Sequence, residues 1–184
     1  MSFVVVYDAN VLYGNTLRDL LIRLAMTGRL QAKWSERILD EMQRNLAADR
    51  PDIPEERLTR LRLLMNTAVR DCLIEGYEPL IEGLKLPDAN DRHVLAAAIK
   101  AGAQVIVTSN LRDFPPEHLG SWGVEARSPD DFVLGQIGLD ARVVWACVQQ
   151  IADSRTNPPE TVDDVLDALE RAGLVESVAA LRAG

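Results

Sequence analysis

Phe3-Val4-Val5-Val6-Tyr7-Asp8 is a run of five apolar residues closed by a carboxylate, and the fold turns on how that run is read. It is rich in β-branched residues and shows no apolar/polar alternation. This is the pattern of a short strand covered on both faces, as in a parallel sheet with helices above and below. Gln104-Val105-Ile106-Val107 has the same character and leads into the polar segment Thr108-Ser109-Asn110. Around these two strands, apolar residues recur at helical spacing. Asn10 to Met26 carries Leu17, Leu20, Leu21 and Leu24, is re-capped near Gly14 and stops at Gly28. Ser35 caps a helix striped by Ile38, Leu39, Met42 and Leu46. Pro54 suits the first turn of a helix bearing Leu58, Leu61, Leu64, Met65 and Ala68, and Asp88 opens another that ends at Gly102. Cys72 to Leu86 is ambiguous, with room for a short strand; Val124 to Ala126 adds another. Helical patterns resume at Pro129 and from Leu139 to Ile151, and after Asn157-Pro158-Pro159 a final pair is capped by Thr161. Strands alternating with helices predict an α/β fold, whose ligands gather outside the carboxyl ends of the strands. Asp8 and the Thr108–Asp113 segment both follow strands, so both belong to that edge.

The 184 residues suit one domain with an appendage, and 47% apolar content is enough for a core. No apolar run approaches the roughly 18–20 residues of a membrane span, and no signal-peptide pattern is present, so a cytoplasmic protein without a membrane partner is expected. Cys72 and Cys147 fall in helix-like segments without metal-ligand spacing and read as free thiols in a reducing compartment. The net charge of −8 argues against a dedicated basic nucleic-acid-binding domain. That charge is uneven: Arg18 to Arg62 holds ten basic and eight acidic residues, whereas Asp153 to Gly184 holds three basic and seven acidic. Screening confines fields to about 10 Å at 0.1 M salt, so the basic front can still meet a polyanion.

Four separated carboxylates, Asp8, Glu41, Asp91 and Asp113, border apolar segments, and if they converge they call for a divalent cation. Each has a plainer reading. Asp8 can cap the next helix, although Asn10 would cap it as well. Glu41 lies on the shoulder of its helix's apolar stripe, where a solvated glutamate is ordinary. Asp88 and Asp91 can both serve a helix N-terminus, yet one cap does not need two aspartates. Thr108 to Asp113 has the composition of a turn. His93 reads as a surface or packing histidine, and His118 as a loop residue. Glycine-rich phosphate loops and a nucleophile elbow are both missing from the sequence.

Taken in order, Val4-Val5-Val6-Tyr7-Asp8-Ala9-Asn10-Val11-Leu12, Ser35 to Glu41, Pro87-Asp88-Ala89-Asn90-Asp91-Arg92-His93-Val94 with the following Leu95 to Ala98, and Val107 to Phe114 resemble PIN-domain ribonucleases, especially the VapC-like bacterial toxin branch. The resemblance covers roughly residues 3 to 135. It implies a three-layer α/β/α fold with a central, mostly parallel sheet over residues 1–137, followed by a C-terminal helical extension over 138–184. It also implies an endoribonuclease dependent on Mg²⁺ or Mn²⁺ that leaves a 5′-phosphate and a 3′-hydroxyl. Asp8, Glu41 and Asp91 take the positions of the family's first three acids. The last acid stands in some members where this chain has Asn110 and in others where it has Asp113, so Asp113 is taken. Asn10, Asp88, Thr108 and Asn110 become supporting residues. RNA is the implied substrate; a cognate antitoxin protein and a second copy of the chain are the protein partners left open. Two other readings stand beside this one. Asn110 fits an inactive PIN-like module that binds RNA or protein. An aspartate-dependent phosphotransfer domain would need an acid at position 10 and a lysine after a late strand.

Overall fold

The computed structural model describes residues 3–184. Four strands, β1 (Phe3–Tyr7), β2 (Leu30–Lys33), β3 (Val105–Val107) and β4 (Glu125–Arg127), form one sheet in the order β2-β1-β3-β4, and every pairing is parallel. Val5, Val6 and Tyr7 are buried in succession, as are Val105, Ile106 and Val107. Neighbouring residues on a strand point to opposite faces, so unbroken burial means that both faces of the central pair are covered.

The helices are α1 (Ala9–Leu12), α2 (Asn15–Met26), α3 (Glu36–Asp49), α4 (Glu55–Ala68), α5 (Glu78–Ile81), α6 (Arg92–Ala101), α7 (Pro116–Leu119), α8 (Pro129–Ser154), α9 (Val162–Arg171) and α10 (Val175–Ala183). The expected α/β architecture with C-terminal helices is present, its sheet wholly parallel. α6 packs on β1 and β3, and its burial runs unbroken from His93 to Ala98. Ser35 caps α3 through Ile38 N–H at 3.1 Å, and the stripe Ile38, Leu39, Met42 and Leu46 is buried as its spacing predicts.

The last three helices pack on one another, and α8 and α9 also pack on α2. Thr161 and Asp164 form a reciprocal capping box at the start of α9, and Asp130 accepts from Glu176 N–H and Ser177 N–H at the start of α10. Phe132 of α8 meets Tyr7 of β1 edge-on at 6.0 Å, which ties this region to the central strand. The boundary expected between 137 and 138 falls inside α8, close to Asp140, where the backbone leaves helical geometry.

One element goes unannounced and two local expectations fail, each for an identifiable reason. Leu30–Lys33 is a strand that the apolar pattern does not announce, because as an edge strand it buries Leu30 and Ala32 and exposes Gln31. Leu64 is exposed, since α4 buries only Leu58 and Met65. Cys72 lies outside any helix, beside a single parallel bridge between Trp34 and Leu73.

Candidate active site

The chain leaves β1 toward β2 on one side of the sheet, and β3 leads to β4 on the other. The crevice between the carboxyl ends of β1 and β3 is therefore the topological switch point of the sheet. Asp8 N–H donates to the Val107 carbonyl at 3.0 Å, which brings residue 8 level with residue 108 at that edge.

Asp8 is buried and fully engaged. Its Oδ1 accepts from Ala9 N–H at 2.8 Å; its Oδ2 accepts from the Thr108 hydroxyl at 3.0 Å and the Asn10 amide at 3.2 Å. The capping reading of Asp8 is thus correct and uses one oxygen only. Asn10 fastens the two strand ends together, donating also to Thr108 Oγ1 and accepting from Ser109 N–H. Asn110 N–H donates to Thr108 Oγ1, so residue 110 contributes through its backbone. Burial raises the Asp8 carboxyl above its ordinary range; the Thr108 and Ala9 hydrogen bonds oppose that rise, nearby Glu41 adds to it, and His93 lowers it.

Asp88 and Asp91 divide their labour. Asp88 accepts from Asn90 N–H at 2.9 Å and caps the short 3-10 turn Ala89–Asp91. Asp91 stands at the N-cap position of α6, yet its side chain makes no capping hydrogen bond. Capping therefore accounts for Asp88 and leaves Asp91 unexplained. Burial, then the charges of Asp8, Asp113, Asp88 and Glu41, push the Asp91 carboxyl up to about 6. Asp113 is half-buried at the end of the turn Leu111–Asp113. Asp8, Asp113, Asp88 and Glu41 thus all lie close enough to act on Asp91, and Glu41 also acts on Asp8.

Glu41 reaches this group from α3, with its Oε1 2.7 Å from His93 Nε2. The sequence marked His93 as a surface or packing residue; it is buried, and among the described residues its one polar side-chain contact is an acid of the cluster. No periodicity in the sequence could signal a pairing 52 residues apart. His118 lies on α7, among none of these contacts.

No three His, Cys, Asp or Glu side chains among the described residues converge tightly enough to make a ready-made cation cage. The donor set still suits a hard divalent cation. It consists of carboxylate oxygens, among them those of Asp91, whose side chain makes no capping hydrogen bond, and Mg²⁺ typically needs only one or two carboxylates because it keeps several waters.

Asp91 carries a consequence for stability. Unfolded, it ionises near 3.8; in the folded, metal-free protein it ionises near 6. Between these values the folded state holds the extra proton, so the favourable contribution is complete below the lower value and lost as pH rises through the upper. Asp91→Asn is therefore expected to stabilise the metal-free protein above pH 6 and to make little difference near pH 4. Discounted for partial exposure, the gain is about 1 kcal/mol, or about 2–4 °C. Thermal unfolding in EDTA at the two pH values measures it, and a destabilised variant at pH 7 would contradict the crowding of carboxylates.

A parallel α/β sheet whose switch-point crevice gathers acids from four separate segments defines a class, and the comparisons with known proteins agree with it. Residues 4–112 match the family model described as PIN domain, so the chain belongs to the PIN domain family. Residues 129–183 match the model described as VapC50 C-terminal domain. Over 94 residues the chain is 42% identical to the protein named "Putative ribonuclease VapC50" of Mycobacterium tuberculosis (strain ATCC 25618 / H37Rv). That alignment covers 51% of this chain and 55% of the relative, so the chain spans about half the length of the curated protein it matches. No solved structure matches the chain.

Proposed function

We propose that this chain is an endoribonuclease dependent on Mg²⁺ or Mn²⁺, acting as the toxin of a toxin–antitoxin pair. Its residues 1–137 would form the nuclease unit and 138–184 a helical extension. The observation that supports this most is the set of carboxylates around Asp91 at one sheet edge: burial first, and then the charges of Asp8, Asp113, Asp88 and Glu41, push the Asp91 carboxyl up to about 6. Such crowding is unfavourable unless a cation relieves it.

Asp8 and Asp91 would hold that cation, with Glu41 completing its shell or orienting the attacking water and Asp113 completing the acidic group. When bound, the cation supplies water activation and neutralises charge at the phosphate. Thr108 and Asn10 keep the Asp8 carboxylate in one orientation by donating to its Oδ2. Asp88 steadies the turn that presents Asp91. Glu41 Oε1 is occupied by His93, which leaves Oε2 to accept a proton or a hydrogen bond from water. RNA approaches an acidic site on an acidic protein, so the arginines between Arg18 and Arg62 supply the local attraction. A cognate antitoxin protein is the partner this reading implies, the cytoplasm is its expected location, and a second copy of the chain is the other partner it leaves open.

Incubation with single-stranded RNA and Mn²⁺ or Mg²⁺ is expected to give internal cleavage with 5′-phosphate ends, abolished by EDTA and restored by excess cation. Cleavage that survives EDTA would contradict the reading. RNA bound yet uncut under every cation would favour the inactive binding module, for which the amide at Asn110 and the lack of a ready-made cage speak.

A further inference from the structure

We infer that His93 is a positioning residue for Glu41: a buried imidazole on α6 that holds one oxygen of a carboxylate on α3 and so fixes the direction in which the other faces the candidate cation site. The inference rests on the metal-dependent reading above and adds a residue to it.

His93 Nε2 lies 2.7 Å from Glu41 Oε1, and the imidazole is fully buried while the Glu41 side chain remains 29% exposed. A carboxylate can only accept, so the proton in this hydrogen bond belongs to Nε2. The other ring nitrogen, Nδ1, is buried and has no hydrogen-bond partner among the described residues. An orphaned N–H is costlier to bury than an orphaned lone pair, so the tautomer with its proton on Nε2 is the one this environment accepts. The chain thus keeps a polar ring inside its core, one nitrogen unsatisfied, for the sake of a single contact. That contact is an acid of the site. A leucine or methionine could fill similar space without stranding a polar atom.

The need for such a holder differs among the acids. Three donors fix Asp8, and Asp88 is tied to its own turn. Glu41 has several rotatable bonds and a helix-shoulder position, and among the described residues His93 is its one side-chain hydrogen-bond partner. Moreover, α6 packs on β1 and β3, the two strands whose ends carry Asp8 and Thr108. His93 therefore refers Glu41 to the frame that fixes Asp8, although Glu41 arrives on another helix. Precise placement of this kind depends on packed supporting residues, and their loss typically weakens metal affinity or activity 10–100-fold.

The test compares His93→Leu, which fills the space without a donor, with His93→Gln, whose amide N–H can reach Glu41. Calorimetric titration with Mn²⁺ is expected to show binding about 10–100-fold weaker for His93→Leu and a return toward wild type for His93→Gln, with kcat for RNA following affinity. Unaltered Mn²⁺ affinity in a folded His93→Leu protein would overturn the inference, as would a folded His93→Gln protein no better than the leucine variant. Nitrogen-15 spectra of the metal-free protein keep the outcomes separable and remain decisive even if His93→Leu does not fold. His93 should show a protonated Nε2 and a bare Nδ1, and the Nε2–H signal should move in Glu41→Gln. A wild-type protein that takes up no Mn²⁺ defeats the metal-dependent reading, whereas an Nε2 signal indifferent to Glu41→Gln defeats the positioning role.

Discussion

Replacing Asp8 with asparagine is expected to lower RNA cleavage by more than about 100-fold while the fold survives. An amide at position 8 can still accept from Ala9 N–H, so the cap on α1 is kept. At the other branch the new amide nitrogen would face Thr108, whose oxygen already accepts from Asn10 and from Asn110 N–H, and Asn10, whose amide nitrogen donates now and cannot pair with a second donor. Two hydrogen bonds are thus lost or rearranged, at about 1 kcal/mol each. Against that loss, a buried charge and its repulsion with Glu41 and Asp91 disappear. The two effects nearly cancel, and the melting temperature should move by only a few degrees. The functional loss has no such offset, because a neutral amide is a far poorer ligand for a hard cation. Normal cleavage by Asp8→Asn would remove Asp8 from the reaction, and an unfolded variant would show that its hydrogen bonds matter more than its charge.

The largest effect on stability is expected from Trp34→Ala. Trp34 follows β2, is fully buried and stacks against Tyr7 with ring centroids 6.3 Å apart. Its indole N–H donates to Asn66 Oδ1 at 2.8 Å; its backbone N–H and carbonyl pair with Cys72 and Ile74. The residue therefore holds β1, α4 and the 72–74 segment together. Truncation leaves a cavity beside the central strand and leaves Asn66 Oδ1 with only the weak Cys72 thiol donor at 3.7 Å, at about 3–5 kcal/mol. Against a typical total of about 5–15 kcal/mol this is severe, equivalent to roughly 10 °C in Tm. Trp34→Phe keeps most of the volume and should lose about 1 kcal/mol for the missing donor. A loss below 1 kcal/mol in the alanine variant would mean that Trp34 does not join these elements.

How much of this was legible in the sequence depends on the physical origin of each feature. The Phe3–Tyr7 and Gln104–Val107 runs announced themselves because burial on both faces leaves no polar positions. The α3 stripe was equally plain, since one face of a long helix meets the core. β2 was not, because an edge strand of four residues with Gln31 and Lys33 exposed in part resembles a polar loop. Leu64 misled for the opposite reason: spacing proposes an apolar face, and only tertiary packing decides which half of it is covered.

Within the candidate site, Asp8 and Thr108 were legible from their places just beyond strands, and a parallel sheet puts such residues on one edge. Glu41 and Asp91 came from family resemblance, since their local surroundings also suit solvation and capping. The geometry sharpens this by giving the capping duty to Asp88 and leaving Asp91 free. Asn10 proved more than a second cap, because its amide ties residue 8 to residues 108 and 109. His93 is buried, as the packing reading allowed; its pairing with Glu41 had no local signal, because that partner lies on another helix.

The central claim is that Asp8 and Asp91, with Glu41 and Asp113, hold a divalent cation at the carboxyl ends of β1 and β3. Anomalous scattering from crystals of this protein soaked in Mn²⁺ tests it most directly. The predicted result is a manganese peak within bonding distance of Asp8 and Asp91 carboxylate oxygens that is absent from Asp8→Asn crystals. A manganese ion bound elsewhere, or a crevice still empty at saturating Mn²⁺, would contradict it.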